Sequence, residues 1–141
     1  MAVTSESTTV WNGELASGSG EVSLDSSKAA TFPVDWKARA EGEAGKTNPE
    51  ELLAAAHSAC FSMALSFALT GAGTPPVSIQ TTAAVTFEAG RGVLGSHLLV
   101  SARVPGIDED RFQEIAEEAK ANCPISTALS GIPITIEATL A

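Results

Sequence analysis

Residues Thr47–Gly73 (TNPEELLAAAHSACFSMALSFALTGAG) decide how this chain folds. Asn48 is a natural N-cap and Pro49 suits the first helical position. Glu50 and Glu51 then fall in the first turn, where a helix dipole favours anions. Glu51 follows Asn48 at capping-box spacing. From Leu52 to Leu69 no acidic or basic side chain interrupts the run except the titratable His57, and Gly71 and Gly73 stop the helix. The run only just reaches the roughly 17 residues that a spanning helix needs. It is diluted with Ala and Ser, follows two glutamates and lacks flanking Lys, Arg, Trp or Tyr anchors. A helix buried inside a soluble protein is therefore expected, with no membrane partner. Such a helix is apolar almost all round and needs neighbours on most sides. A chain this small offers few, so a homodimer is expected to cover the remainder.

Working upstream, Thr8–Leu15 and Gly20–Leu24 are expected as short strands joined by a Ser/Gly turn. Phe32–Ala40, which carries Arg39, is expected as a third, looser extended segment, and Glu41–Lys46 as a turn. Downstream, Val77, Ile79, Thr81, Ala83, Val85 and Phe87 alternate with mostly polar neighbours, the pattern of a half-buried strand. Leu98, Val100, Ala102 and Val104 repeat it after an Ala-Gly-Arg-Gly connection. Asp108 caps a second helix whose inward stripe is Phe112, Ile115, Ala116, Ala119 and Cys123. Pro124 breaks that register and can open a new short helix. Ile134, Ile136, Ala138 and Leu140 close the chain as a strand. Strands, helix, strands, helix, strand is an α+β layout, read as one domain over residues 1–141.

The chain is 44% hydrophobic and 18% charged, which excludes a disordered polypeptide. Its net charge of -9 and scattered Lys and Arg would repel a polyanion, so no nucleic-acid partner is expected. Met1–Gly13 has neither a basic start nor an apolar core, so a cytoplasmic location is expected. In a reducing compartment Cys60 and Cys123 are either inert core thiols or redox-active ones. His57 is the ionisable neighbour of Cys60 at helical spacing. Cys123 sits beside a fresh helix N-terminus, a position that lowers a thiol pKa. On the residues alone, both cysteines are plausible nucleophiles. A zinc site from Cys60, His57, Cys123 and His97 fits by residue type, but no closely spaced ligand pair supports it. His57 is expected as a satisfied interior histidine, and His97 as an exposed one without a partner.

Thr47–Ser66 and the later Asn122-Cys-Pro-Ile-Ser126 resemble the OsmC/Ohr family, the osmotically inducible and organic hydroperoxide resistance proteins. The OsmC branch is the nearer match through Ala55-Ala56-His57, Cys60-Phe-Ser-Met-Ala64, Arg39–Glu43 and Val104–Asp108. The resemblance covers essentially the whole chain. It implies the OsmC-like fold, with antiparallel sheets packed on a long buried central helix in an intertwined homodimer. It implies a thiol-dependent peroxidase without metal or organic cofactor. Cys60 would be the peroxidatic cysteine and Cys123 the one that resolves its sulfenic acid to a disulfide, which an external dithiol reduces. Arg39 and Glu50 match the family's activating pair. A guanidinium can hold a thiolate while a carboxylate orients it. Glu50 and Cys60 lie ten residues apart on one helix, about 15 Å along its axis. A composite site is therefore expected, with the cysteines from one chain and Arg39 and Glu50 from the other. Phe61, Met63, Leu65, Phe67, Phe112 and Ile125 are expected to line an apolar entrance that favours organic hydroperoxides. The alternative is a dimer of the same fold that binds an apolar ligand without turnover. Lys46 departs from the family pattern, which runs from Gly directly into Thr-Asn-Pro, so a Glu43–Thr47 loop one residue longer is expected.

Overall fold

The computed structural model describes residues 1–141, which divide into two compact units, Met1–Leu52 and Leu53–Ala141. In the first unit β1 (Ser7–Asn12), β2 (Ser19–Leu24) and β3 (Thr31–Val34) form an antiparallel sheet in that order. Gly20 lies between Trp11 and Val34 in register, and a Cβ there would come within 2.9 Å of the Trp11 ring and the Val10 carbonyl. A side chain would force the strands apart, so the sheet requires glycine there.

The segment after β3 differs from expectation. Trp36–Glu41 is a short helix, α1, and Arg39 lies on it rather than on a strand. Asp35 explains the change, because its carboxylate accepts a hydrogen bond from the Ala38 N–H at 2.7 Å. That N-cap, followed by Lys37, Ala38, Arg39, Ala40 and Glu41, outweighs the extended reading. Lys46 bonds Asp35 at 2.7 Å and Glu43 at 3.5 Å, tying its loop to the start of α1.

Helix α2 (Pro49–Gly71) starts as predicted, with the Glu51 N–H donating to Asn48 Oδ1 at 2.8 Å. The Glu51 carboxylate does not close a capping box; it accepts from the Thr47 hydroxyl at 2.6 Å. Gly73, at φ 83, ends the helix in the left-handed region that suits glycine. In the second unit β4 (Ser78–Glu88) and β5 (Gly92–Arg103) form an antiparallel hairpin. They are followed by α3 (Glu109–Asn122), α4 (Pro124–Ala128) and β6 (Ile134–Leu140). β6 runs parallel to β5, so the expectation of purely antiparallel sheets fails at this strand. The α3–α4 crossover carries the chain back to start β6 in the same direction as β5, as a parallel pair requires.

The core of this unit joins Phe61, Leu65 and Leu69 of α2 to Leu98, Val100 and Ala102 of β5 and to Phe112, Ile115, Ala116, Ala119 and Cys123. The three α2 residues are spaced by four and share one helix face. Each large apolar side chain taken fully from water contributes about 1.5–3 kcal/mol. Burial of α2 is one-sided: Met63 is 71% and Phe67 84% exposed. The central helix is thus not buried all round in the single chain. By length and composition it could cross a membrane, but its Phe61, Leu65 and Leu69 face is spent on the core.

Candidate active site

Cys60 lies on the α2 turn just before Phe61, and Cys123 is the residue at which α3 ends and α4 begins. The Phe112–Ala119 stripe turns Cys123 inward, where it is fully buried, while Cys60 is half-buried against the same core. The two thiols are free and lie close enough that each shifts the other's pKa. The backbone N–H of Ile125, at the start of α4, pulls both thiol pKa values down. Ser126, three residues beyond Cys123, acts on Cys123 in the same direction.

The electrostatics of the pair follow from these neighbours. Burial pushes the Cys60 thiol up, and the nearby Cys123 pushes it further, against the opposing pull of the Ile125 N–H. Burial also raises Cys123, but Cys60, Ser126 and Ile125 together overcome it and hold Cys123 below the ordinary thiol range. Of the two sulfurs, Cys123 is the more readily ionised in the single chain. The expectation that the α4 N-terminus favours a Cys123 thiolate agrees with these directions.

In the first unit Arg39 and Glu50 form a forked ion pair. Nη2 donates to Glu50 Oε1 at 2.8 Å, and Nε reaches both carboxylate oxygens at 3.3 and 3.2 Å. The Glu50 side chain is 6% exposed and the Arg39 side chain 32%. This is a positioned pair, unlike a mobile surface contact. Glu51, bonded to Thr47, leaves Glu50 as the arginine's partner. Beside Arg39 lies a hollow of about 330 Å³ lined by Trp11, Leu15, Trp36, Pro49 and Leu52 among others. Sequence reasoning missed it; the only signal was that both tryptophans, Trp11 of β1 and Trp36 of α1, fall in this first unit.

Two expectations change. Phe61, Leu65 and Phe112 are wholly buried core residues and line no entrance. His97 has partners, sharing hydrogen bonds with Thr135 at 2.6 Å and Glu137 at 2.9 Å. These contacts hold it on the β5–β6 pair. His57 is a satisfied interior histidine as expected, bonded to Ser96 at 2.7 Å and Ser126 at 2.8 Å. Burial lowers its pKa.

Comparison with known proteins gives a consistent result. Peroxiredoxin OsmC of Escherichia coli is 47% identical over 122 residues, covering 84% of this chain and 85% of that protein. The crystal structure of an OsmC-like protein from Mycoplasma pneumoniae matches the fold at TM-score 0.76 and 17% identity, over 100% of this chain and 99% of that one. The organic hydroperoxide resistance protein OhrB of Bacillus subtilis matches at TM-score 0.68 and 27% identity, over 99% of this chain and 98% of that one. The family model described as OsmC-like protein matches residues 42–137, and with a relative this similar over most of its length the chain belongs to the OsmC-like protein family.

Proposed function

We propose that this protein is a cysteine-based peroxidase that reduces organic hydroperoxides, and hydrogen peroxide more slowly, in the cytoplasm. The observation that carries the reading is the pair of free thiols, from remote parts of the chain, brought close together in one apolar interior. The Cys60 thiolate attacks the terminal peroxide oxygen; the O–O bond breaks, an alcohol leaves after taking a proton, and Cys60 becomes a sulfenic acid. Cys123 then attacks that sulfur. The S–S bond forms, the S–O bond breaks and water leaves. An external dithiol returns both electrons.

Cys60 must first become the thiolate, although its surroundings in the single chain favour the thiol. A guanidinium beside it would move the negative charge of the pair onto Cys60. Arg39, held by Glu50, is the group we assign to that task. Ten residues of continuous α2 separate Glu50 from Cys60, about 15 Å along the axis. The pair therefore acts on a second copy of the chain in a homodimer, which also covers Met63 and Phe67 on the open face of α2. The hollow beside Arg39 holds the alkyl part of the substrate, where each buried CH₂ contributes about 0.8 kcal/mol. The two units work as one domain.

A second reading, an apolar-ligand-binding dimer without turnover, draws on the same hollow. Replacing Cys60 by Ser separates the two. For a peroxidase, Cys60→Ser abolishes consumption of cumene hydroperoxide, and Cys123→Ser leaves a sulfenic acid that dimedone traps. Unchanged consumption by Cys60→Ser would refute the proposal, and so would wild-type protein that consumes cumene hydroperoxide no faster than hydrogen peroxide.

A further inference from the structure

The two cysteines of the second unit differ in access. Cys123 is 0% exposed and ends the α3 stripe of Phe112, Ile115, Ala116 and Ala119 inside the core. Cys60 packs against that core while keeping part of its surface in water. Met63, one turn beyond it on α2, is 71% exposed, and Ala56, one turn before it, is exposed as well. Cys60 therefore stands at the boundary between core and solvent, with Cys123 inward of it.

A disulfide joining them is open to attack from one end. Thiol–disulfide exchange needs a thiolate to approach one sulfur in line with the S–S bond, from the side away from the sulfur that leaves. For Cys60 that side is the outer one. For Cys123 it is close-packed core, and drawing Cys123 outward would empty the end of the α3 stripe. The leaving groups agree with the access. Cys123 is held below the ordinary thiol range and Cys60 above it, and the more acidic thiol departs faster. The peroxide must itself reach Cys60, so the same opening serves in a dimer that covers Met63 and Phe67.

Resting on the two-cysteine reading above, we propose that the external dithiol enters the disulfide at Cys60 and not at Cys123, so that one sulfur receives first the peroxide and then the reductant. The first thiolate of the dithiol attacks the Cys60 sulfur. A mixed disulfide forms, the Cys60–Cys123 bond breaks, and Cys123 leaves with the electron pair as a thiolate. The second thiol of the reductant, as its thiolate, attacks the reductant's own sulfur in the mixed disulfide. A cyclic disulfide closes and Cys60 leaves as a thiolate. The two protons given up by the dithiol go to the two cysteines, and its two electrons pass to the protein.

The same placement selects the kind of reductant. In the mixed disulfide Cys123 stands beside the sulfur it has just left and expels a monothiol again. A second thiol on the reductant competes with that reversal at high effective concentration.

The test uses the full wild-type chain, oxidised with one equivalent of cumene hydroperoxide. It is mixed briefly with excess 2-mercaptoethanol, quenched in acid, alkylated with N-ethylmaleimide and mapped by peptide mass. The mercaptoethanol adduct is expected on Cys60 and the maleimide on Cys123, in about tenfold or greater excess over the reverse. At equal thiol concentration, dithiothreitol is expected to reduce the disulfide at least about 100-fold faster than 2-mercaptoethanol. An adduct chiefly on Cys123, or shared equally, would overturn the proposal while the peroxidase reading stands, and so would equal rates for the two reductants. Oxidised protein without a disulfide between residues 60 and 123 would overturn the two-cysteine reading and the proposal with it.

Discussion

Replacing Arg39 by Ala separates the two things the Arg39–Glu50 pair is argued to do. The Glu50 side chain is 6% exposed and spends both oxygens on the guanidinium. Removing Arg39 leaves that carboxylate buried without its partner. Breaking a fully buried pair costs about 3–5 kcal/mol. Arg39 is itself 32% exposed, so water can reach part of the gap and about 2 kcal/mol is the better figure. Losing the cation that holds the Cys60 thiolate removes an interaction of about 1.5–3 kcal/mol, roughly a 10- to 160-fold fall in the rate constant with organic hydroperoxide. Urea unfolding measures the first effect and stopped-flow reaction with cumene hydroperoxide the second. The double variant Arg39→Ala/Glu50→Ala removes the orphaned charge, so it should recover most of the lost stability but none of the lost rate. A double variant that regained the peroxidase rate would refute the activating role, as would an Arg39→Ala protein that reacted like wild type.

Other outcomes follow from the second unit. Because burial lowers the folded pKa of His57, the unfolded chain takes up a proton that the folded chain refuses as pH falls through 6.5. Stability should therefore be full above that pH and decline until the folded pKa is passed; a urea midpoint unchanged between pH 7.5 and 5 would contradict this. Phe112→Ala empties a fully buried site and should cost about 3–5 kcal/mol in urea unfolding. Phe67→Lys changes a side chain that is 84% exposed in the single chain, so far-ultraviolet circular dichroism should be unaltered. Sedimentation should nevertheless show dimer giving way to monomer, since the charge falls on the face assigned to the partner.

Local signals carried most of the fold. The Asn48-Pro49-Glu50-Glu51 start of α2, the α3 stripe ending at Cys123, and the alternation along β4, β5 and β6 are short-range patterns with single physical solutions, and each element is present. Features that depend on distant residues were not readable in this way. The parallel pairing of β6 with β5 is set by the crossover, which leaves no mark on the alternation of Ile134, Ile136, Ala138 and Leu140. Asp35 as the cap of α1 is a local signal that the extended reading of Phe32–Ala40 did not take up. The candidate site divides along the same line. Cys60, Cys123, Arg39 and Glu50 stood out by motif, and their pairing as Cys60 with Cys123 and Arg39 with Glu50 is seen in the structure. Ser96 and Ser126 could not be found in advance, because nothing in sequence separates a serine bonded to a buried imidazole from one on the surface. Only His57, an ionisable residue one turn from Cys60, pointed towards them.

The account rests on two sulfurs acting on one substrate, and counting thiols tests that most directly. Reduced protein has two free cysteines per chain. After one equivalent of cumene hydroperoxide, both should be lost to alkylating reagent, with peptide mapping joining residues 60 and 123 within one chain. A remaining free thiol, or a disulfide found only between chains, would contradict the mechanism.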